Sequence, residues 1–137
     1  MTLARLILVA LLLASSGCAT RKYMLSRPLD SGVKAVYPAP FDKVKRASYD
    51  ALAELNFGVK DELWDNRDAN AYVINTSQGL SSGSTGKYAR VVILKAEKDQ
   101  TVYVYVESKA ATRSSAPADE DDAKSIQARI EKRVTAK

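Results

Sequence analysis

Apolar positions change their period along the chain, and each change marks an element. Residues 33–37 (VKAVY) alternate as a first strand, which Pro38 and Pro40 stop. Phe41, Val44, Ala51, Leu52 and Leu55 then recur at helical spacing, with Ser48 filling the same stripe, and predict a helix over 41–55. Asn56 tolerates the left-handed conformation that ends a helix, and Phe57 is placed to fold back on the last turn. From Phe57 the period becomes two. Phe57, Val59 and Leu63 mark a second strand and 71–76 (AYVINT) a third, joined by the turn formers of 65–70. Residues 79–86 have the Gly and Ser content of a loop. Residues 88–96 and 101–108 are the strongest strand signals, with 97–100 between them as a hairpin turn. After a linker at 109–118, Ala123, Ile126, Ile130 and Val134 give a second helix over 119–134. Its acids Asp119, Glu120, Asp121 and Asp122 sit at the positive end of its dipole, and Arg129, Lys132 and Arg133 at the negative end.

The order is therefore strand, helix, four strands, helix. Short connections make sequential strands antiparallel, and two helices with one apolar face each need one sheet face to cover. The fold class expected is α+β: a two-layer sandwich with a mainly antiparallel sheet and both helices on one face, with Leu52, Leu55, Ile126 and Ile130 packed together. Alternation in 101–106 sends Val102, Val104 and Val106 to one side and Tyr103 and Tyr105 to the other. Slim valines suit close helix packing, so Tyr103 and Tyr105 are expected on the uncovered side. Paired tyrosines there are candidate partner-binding residues; the plainer alternative is that they shield the sheet or pack under the Ser/Gly loop.

Arg5 precedes an unbroken apolar run of nine residues, 6–14, and then Ser15, Ser16 and Gly17. Nine residues cannot cross a hydrocarbon core of roughly 30 Å, whereas they fit the apolar region of a secretory signal. The next residue is the chain's one Cys, so no intrachain disulfide can form. Ser15-Ser16-Gly17-Cys18 resembles a bacterial lipobox, with Ser15 standing where Leu is usual. The resemblance implies cleavage before Cys18, acylation of Cys18, and, because Ala19 rather than Asp follows, an outer-membrane destination on the periplasmic side. The expected division is a leader at 1–17, a lipid-anchored tether at 18–32 and a single domain at 33–137; an arm buried against the domain is the alternative for the polar, basic segment that ends at Gly32.

The element order also resembles the helix-grip domains of a small lipoprotein component of the outer-membrane β-barrel assembly machinery, and more broadly a group of small uncharacterised lipoproteins. The residues behind this are Tyr37-Pro38-Ala39-Pro40-Phe41, then Ala51-Leu52-Ala53-Glu54-Leu55 followed by Asn56-Phe57-Gly58-Val59, and the closing helix. The likeness implies a fold and carries over no functional residue.

Composition narrows the chemistry. There is no His, which removes the commonest general base and metal ligand. Residues 81–87 (SSGSTGK) mimic a phosphate-binding loop, but Ser81 replaces its first Gly, Tyr88 replaces its hydroxyl residue, and a strand follows where a helix is needed. Ser84 and Lys87 have the spacing of a Ser-Lys nucleophile pair, yet a Gly-flanked loop leaves the Lys solvated. Asp61, Glu62, Asp65 and Asp68 lack the central Gly and alternation of a Ca²⁺ loop. Trp64 and Tyr72 could stack on sugars or bases, but a thin core favours packing against the helices. Net charge is +5 for the chain, modest and interspersed with acids. The reading is a non-enzymatic protein with no cofactor or metal and no nucleic-acid partner, held to the membrane through Cys18, that binds another envelope protein. The alternative is a binder of cell-wall or small-molecule ligands.

Overall fold

The computed structural model describes residues 24–79, 86–96, 100–110 and 116–137. The elements are β1 (Val33–Tyr37), α1 (Phe41–Glu54), β2 (Gly58–Trp64), β3 (Ala71–Gln78), β4 (Lys87–Lys95), β5 (Val102–Ala110) and α2 (Ala116–Thr135), and residues 24–26 are helical. All strands join one antiparallel sheet in the spatial order β1-β5-β4-β3-β2. Thus β2 to β5 form a meander, and β1 closes the far edge by pairing Val33 with Val106 through Tyr37 with Val102. The α+β sandwich read from the sequence is the fold.

Helix α1 ends as its sequence dictates. Asn56 adopts φ 61°, its N–H donates to the Ala53 carbonyl, and the Phe57 N–H donates to the Leu52 carbonyl at 2.9 Å. This paired closure satisfies carbonyls that the helix leaves open and turns Phe57 under the last turn, where it is buried. Ser48 lies within the buried stripe because its hydroxyl donates to the Val44 carbonyl at 2.8 Å.

Both helices cover the same sheet face. Their buried residues Val44, Ala51, Leu52, Ile126 and Ile130 meet Ile74, Val91, Ile93, Val102, Val104 and Val106 in one apolar cluster, with Leu55 partly buried at its rim. One polar group crosses this layer. Gln127 of α2 donates from Nε2 to the carbonyls of Val33 and Val104, both at 3.0 Å, while its Oε1 accepts from the Tyr37 hydroxyl at 2.9 Å. Burial pushes the Tyr37 hydroxyl pKa well up, with Glu131 adding to the rise, so it stays a donor. At the surface Arg129 and Arg133 of α2 pair with Glu54 and Asp50 of α1.

The second face is partly covered, by the part of the N-terminal segment that is described, in the manner of the arm weighed as the alternative to a free tether. From Met24 to Gly32 the chain lies across the sheet: Met24 is buried, and Leu29 packs with Ala71, Val73, Val92, Leu94 and Tyr105. Gly32 ends this arm at φ +99°, with its Cα so near β5 that a Cβ would meet the Val106 carbonyl oxygen at 2.2 Å. Residues 18–23, including Cys18, lie outside the described residues.

Candidate functional site

The strand alternation of β5 places Tyr103 and Tyr105 opposite the helix-facing valines, as expected. Tyr105 stands beside Val92 of β4 and Lys34 of β1, and Tyr103 beside Leu94 and Val36. Lys34 Nζ lies 4.9 Å from the Tyr103 ring centroid and 5.8 Å from that of Tyr105, within reach of a cation–π attraction to both. Val36, 49% exposed, completes the corner. The two tyrosines differ: Tyr105 packs against the Leu29 cluster of the arm, whereas Tyr103 is half-buried among Lys34, Val36 and Leu94. The result is an aromatic and aliphatic corner capped by one cation, with Tyr105 at the margin of the arm and Tyr103 and Val36 beyond it.

What holds the arm is a residue whose role sequence reasoning missed. Arg90 points from β4 to the arm side and is 1% exposed. Its Nη1 donates to the carbonyls of Met24 (3.1 Å) and Arg27 (2.9 Å), and its Nη2 to the Pro28 carbonyl (2.6 Å) and Glu107 Oε2 (3.3 Å). Glu107 also accepts from Arg27 Nε at 2.8 Å, and Arg67 Nη1 donates to the Arg27 carbonyl at 3.0 Å. Burial lowers the Arg90 pKa and Glu107 offsets part of that, but an Arg stays charged at any ordinary pH. Arg90 Nε has no hydrogen-bond partner among the described residues. The signal was present: a lone cation in the middle of YARVVILK requires a partner if the strand is central.

The acidic group at β2 and its turn has structural duties. Asp61 accepts from Asn75 at 2.7 Å, Asp68 caps the Asn70 N–H, and Asp65 grips both the backbone and the guanidinium of Arg67, which holds the Asp65 carboxyl below its usual range. Among the described residues no three His, Cys, Asp or Glu side chains gather to hold a metal ion. Lys87 pairs with Asp122 at 2.9 Å and stays about a third exposed, so it remains solvated, and Ser84 lies outside the described residues. Trp64 stacks on Phe41, with centroids 5.2 Å apart, and meets the edge of Tyr72. Burial, with Glu62 nearby, raises the Tyr72 pKa.

One further cavity, about 570 Å³, opens beside β1, β5 and the start of α2, lined among others by Arg27, Glu107, Ser108, Asp119 and Lys124. The Ser108 hydroxyl is buried at its margin with no hydrogen-bond partner among the described residues. No described helix is long and apolar enough to cross a membrane.

No protein-family model matches the chain, and no curated protein matches it. Among solved structures the chain is similar to TTHA0849 from Thermus thermophilus, at 11% identity and a TM-score of 0.38, over 74% of this chain and 94% of that one.

Proposed function

We propose that this chain is a non-catalytic lipoprotein of the outer membrane, anchored on the periplasmic side through Cys18, whose domain binds another envelope protein. The observation that supports a binding role is the open sheet corner, where Tyr103, Tyr105 and Val36 are presented under Lys34. Rigid aromatic side chains with polar tips, set on strands and ringed by apolar neighbours, are the residues that anchor interfaces. The anchor rests on the leader and on Cys18. Cys18→Ser should abolish acyl labelling and release the protein from the membrane fraction.

A photo-crosslinking residue placed at Tyr103 tests the partner. A discrete adduct with one envelope protein, lost in a Tyr105→Ala background that retains its melting temperature, is the expected result. No adduct at Tyr103, or the same adduct from a site on α2, rejects the corner as the interface. The ligand-binding reading has its own support in the polar cavity and the unpartnered Ser108 hydroxyl. It predicts that a muropeptide or other small envelope ligand raises the melting temperature of the protein and no longer does so in Ser108→Val.

A further inference from the structure

Exposed apolar residues are concentrated on one margin of the domain. Val59, Leu63 and Trp64 of β2, and Leu25 beside it, are each 43 to 46% exposed, and Val36 on the opposite edge strand is the other large exposed apolar side chain among the described residues. Leu25 shares one hollow with Lys60 and Asn75 and a second with Leu63 and Arg67. Leu63 faces the arm side of the sheet, opposite Val73, and Trp64 faces the helix side, opposite Tyr72. The margin is thus apolar on both flanks. Trp64 is held from within by Phe41 and Tyr72 and under Lys95, 4.9 Å from its ring, and its outer half is free.

The described arm also begins at this margin, at Met24. Cys18 precedes Met24 by six residues, which span at most about 22 Å when fully extended, less than the roughly 30 Å width of a domain this size. An acylated Cys18 therefore keeps this side of the domain within reach of the bilayer. We propose that Leu25, Val59, Leu63 and Trp64 form a membrane-docking edge that seats the domain on a phospholipid surface. The inference rests on the acylation of Cys18 proposed above.

A partner strand is the competing occupant of an edge strand, and two features oppose it. The ladder of β2 is interrupted by a register shift between Val59 and Asp61, which twists an edge away from regular pairing. In addition, Leu25 lies off the strand, where an added strand does not reach it. Shallow burial of a Trp with flanking aliphatic groups beside Lys60 and Lys95 is the pattern of an interfacial contact.

Trp64 is the one Trp in the chain, so its fluorescence reports this edge directly. The acylated full chain should be reconstituted in vesicles of phosphatidylethanolamine and phosphatidylglycerol in which part of the lipid is brominated near the glycerol end of its acyl chains. The expected result is a blue-shifted emission, loss of most intensity to the brominated lipid, and little loss to aqueous iodide. Leu25→Asn with Leu63→Asn, both exposed, should restore much of the intensity while the protein still floats with the vesicles and keeps its circular dichroism. A floating, acylated protein whose Trp64 is quenched by iodide and not by the lipid overturns the docking edge and leaves the anchor intact. Protection from both quenchers assigns the edge to a second copy or another protein, and also overturns it. Absence of acyl mass on Cys18, with no flotation, removes the anchor and the docking edge together.

Discussion

Replacing Arg90 with Met tests whether the arm is held by one buried cation. Met keeps the length and apolar bulk of the side chain but removes the donors to the carbonyls of Met24, Arg27 and Pro28 and to Glu107. Breaking a buried ion pair costs about 3–5 kcal/mol when the partner is left alone. Here Glu107 keeps Arg27 at 2.8 Å and the Arg27 carbonyl keeps Arg67 at 3.0 Å, which places the cost at the lower end, about 3 kcal/mol. The carbonyls of Met24 and Pro28, each left with one backbone donor, regain water if the arm lifts, so the loss falls on arm docking more than on the sheet. At about 1.4 kcal/mol per tenfold, the arm opens roughly a hundredfold more often. Amide hydrogen exchange reads this at Arg27, whose N–H bonds to Met24, and at Ser31, whose N–H bonds to Pro28. Both should exchange about two orders of magnitude faster, while amides at the centres of β4 and β5 change far less. Arg90→Lys, a point charge without the planar fork, should fall between. Unchanged exchange at Arg27 and Ser31 in Arg90→Met would refute the reasoning.

Other substitutions probe other layers. Gly32→Ala adds a Cβ where the Val106 carbonyl stands, at a backbone angle that L side chains rarely adopt, and should cost about 2 kcal/mol or more in denaturant unfolding. Leu52→Ala removes a side chain with no exposure at the meeting of α1 and α2 and should cost about 2–4 kcal/mol by the same measure. Gln127→Leu removes the side-chain partner of two strand carbonyls and leaves the Tyr37 hydroxyl only the long contact to the residue-127 carbonyl at 3.4 Å; a loss of about 1–3 kcal/mol is expected, and Tyr37→Phe in the same background should recover part of it. Asp65 has its folded pKa below the unfolded one, so its pairing with Arg67 adds stability above the ordinary carboxylate range and loses it as pH falls through the folded value. Because Arg67 is largely exposed, that gain is under about 1 kcal/mol. Asp65→Asn should flatten the stability profile below about pH 4, and an unchanged acid limb would count against the pairing.

Element type was legible because each segment keeps one period. β1 occupies the residues its alternation marks, and α1 stops at the Asn56 and Phe57 signals. In α2, Ala123, Ile126, Ile130 and Val134 are the buried apolar positions, and the polar Gln127 is buried with them. The opposed faces of β5 likewise follow from period two, which put Tyr103 and Tyr105 on the arm side. The docked arm was not legible in the same way. Its attachment runs through the backbone carbonyls of Met24, Arg27 and Pro28, which every sequence has, and through Arg90, sixty residues and more downstream. Side-chain pattern in 24–32 therefore looks like solvated linker. The partner of Lys87 was not legible for a related reason, since Asp122 comes from α2 and no local pattern joins them.

The position of β1 has a consequence for the order of assembly. Val33 pairs with Val106, and Gln127 ties both β1 and β5 to the last helix. A chain delivered N-terminus first presents β1 and the arm long before either has anything to bind, because Arg90, Glu107 and the β5 edge arrive last. The meander from β2 to β5 needs only neighbours close in sequence and can form on its own schedule, whereas closing the β1 edge spans most of the chain and pays its loop entropy at the end. Folding intermediates of this protein should therefore carry a native β2 to β5 meander with a loose N-terminal third, and chains truncated before α2 should stop at that stage.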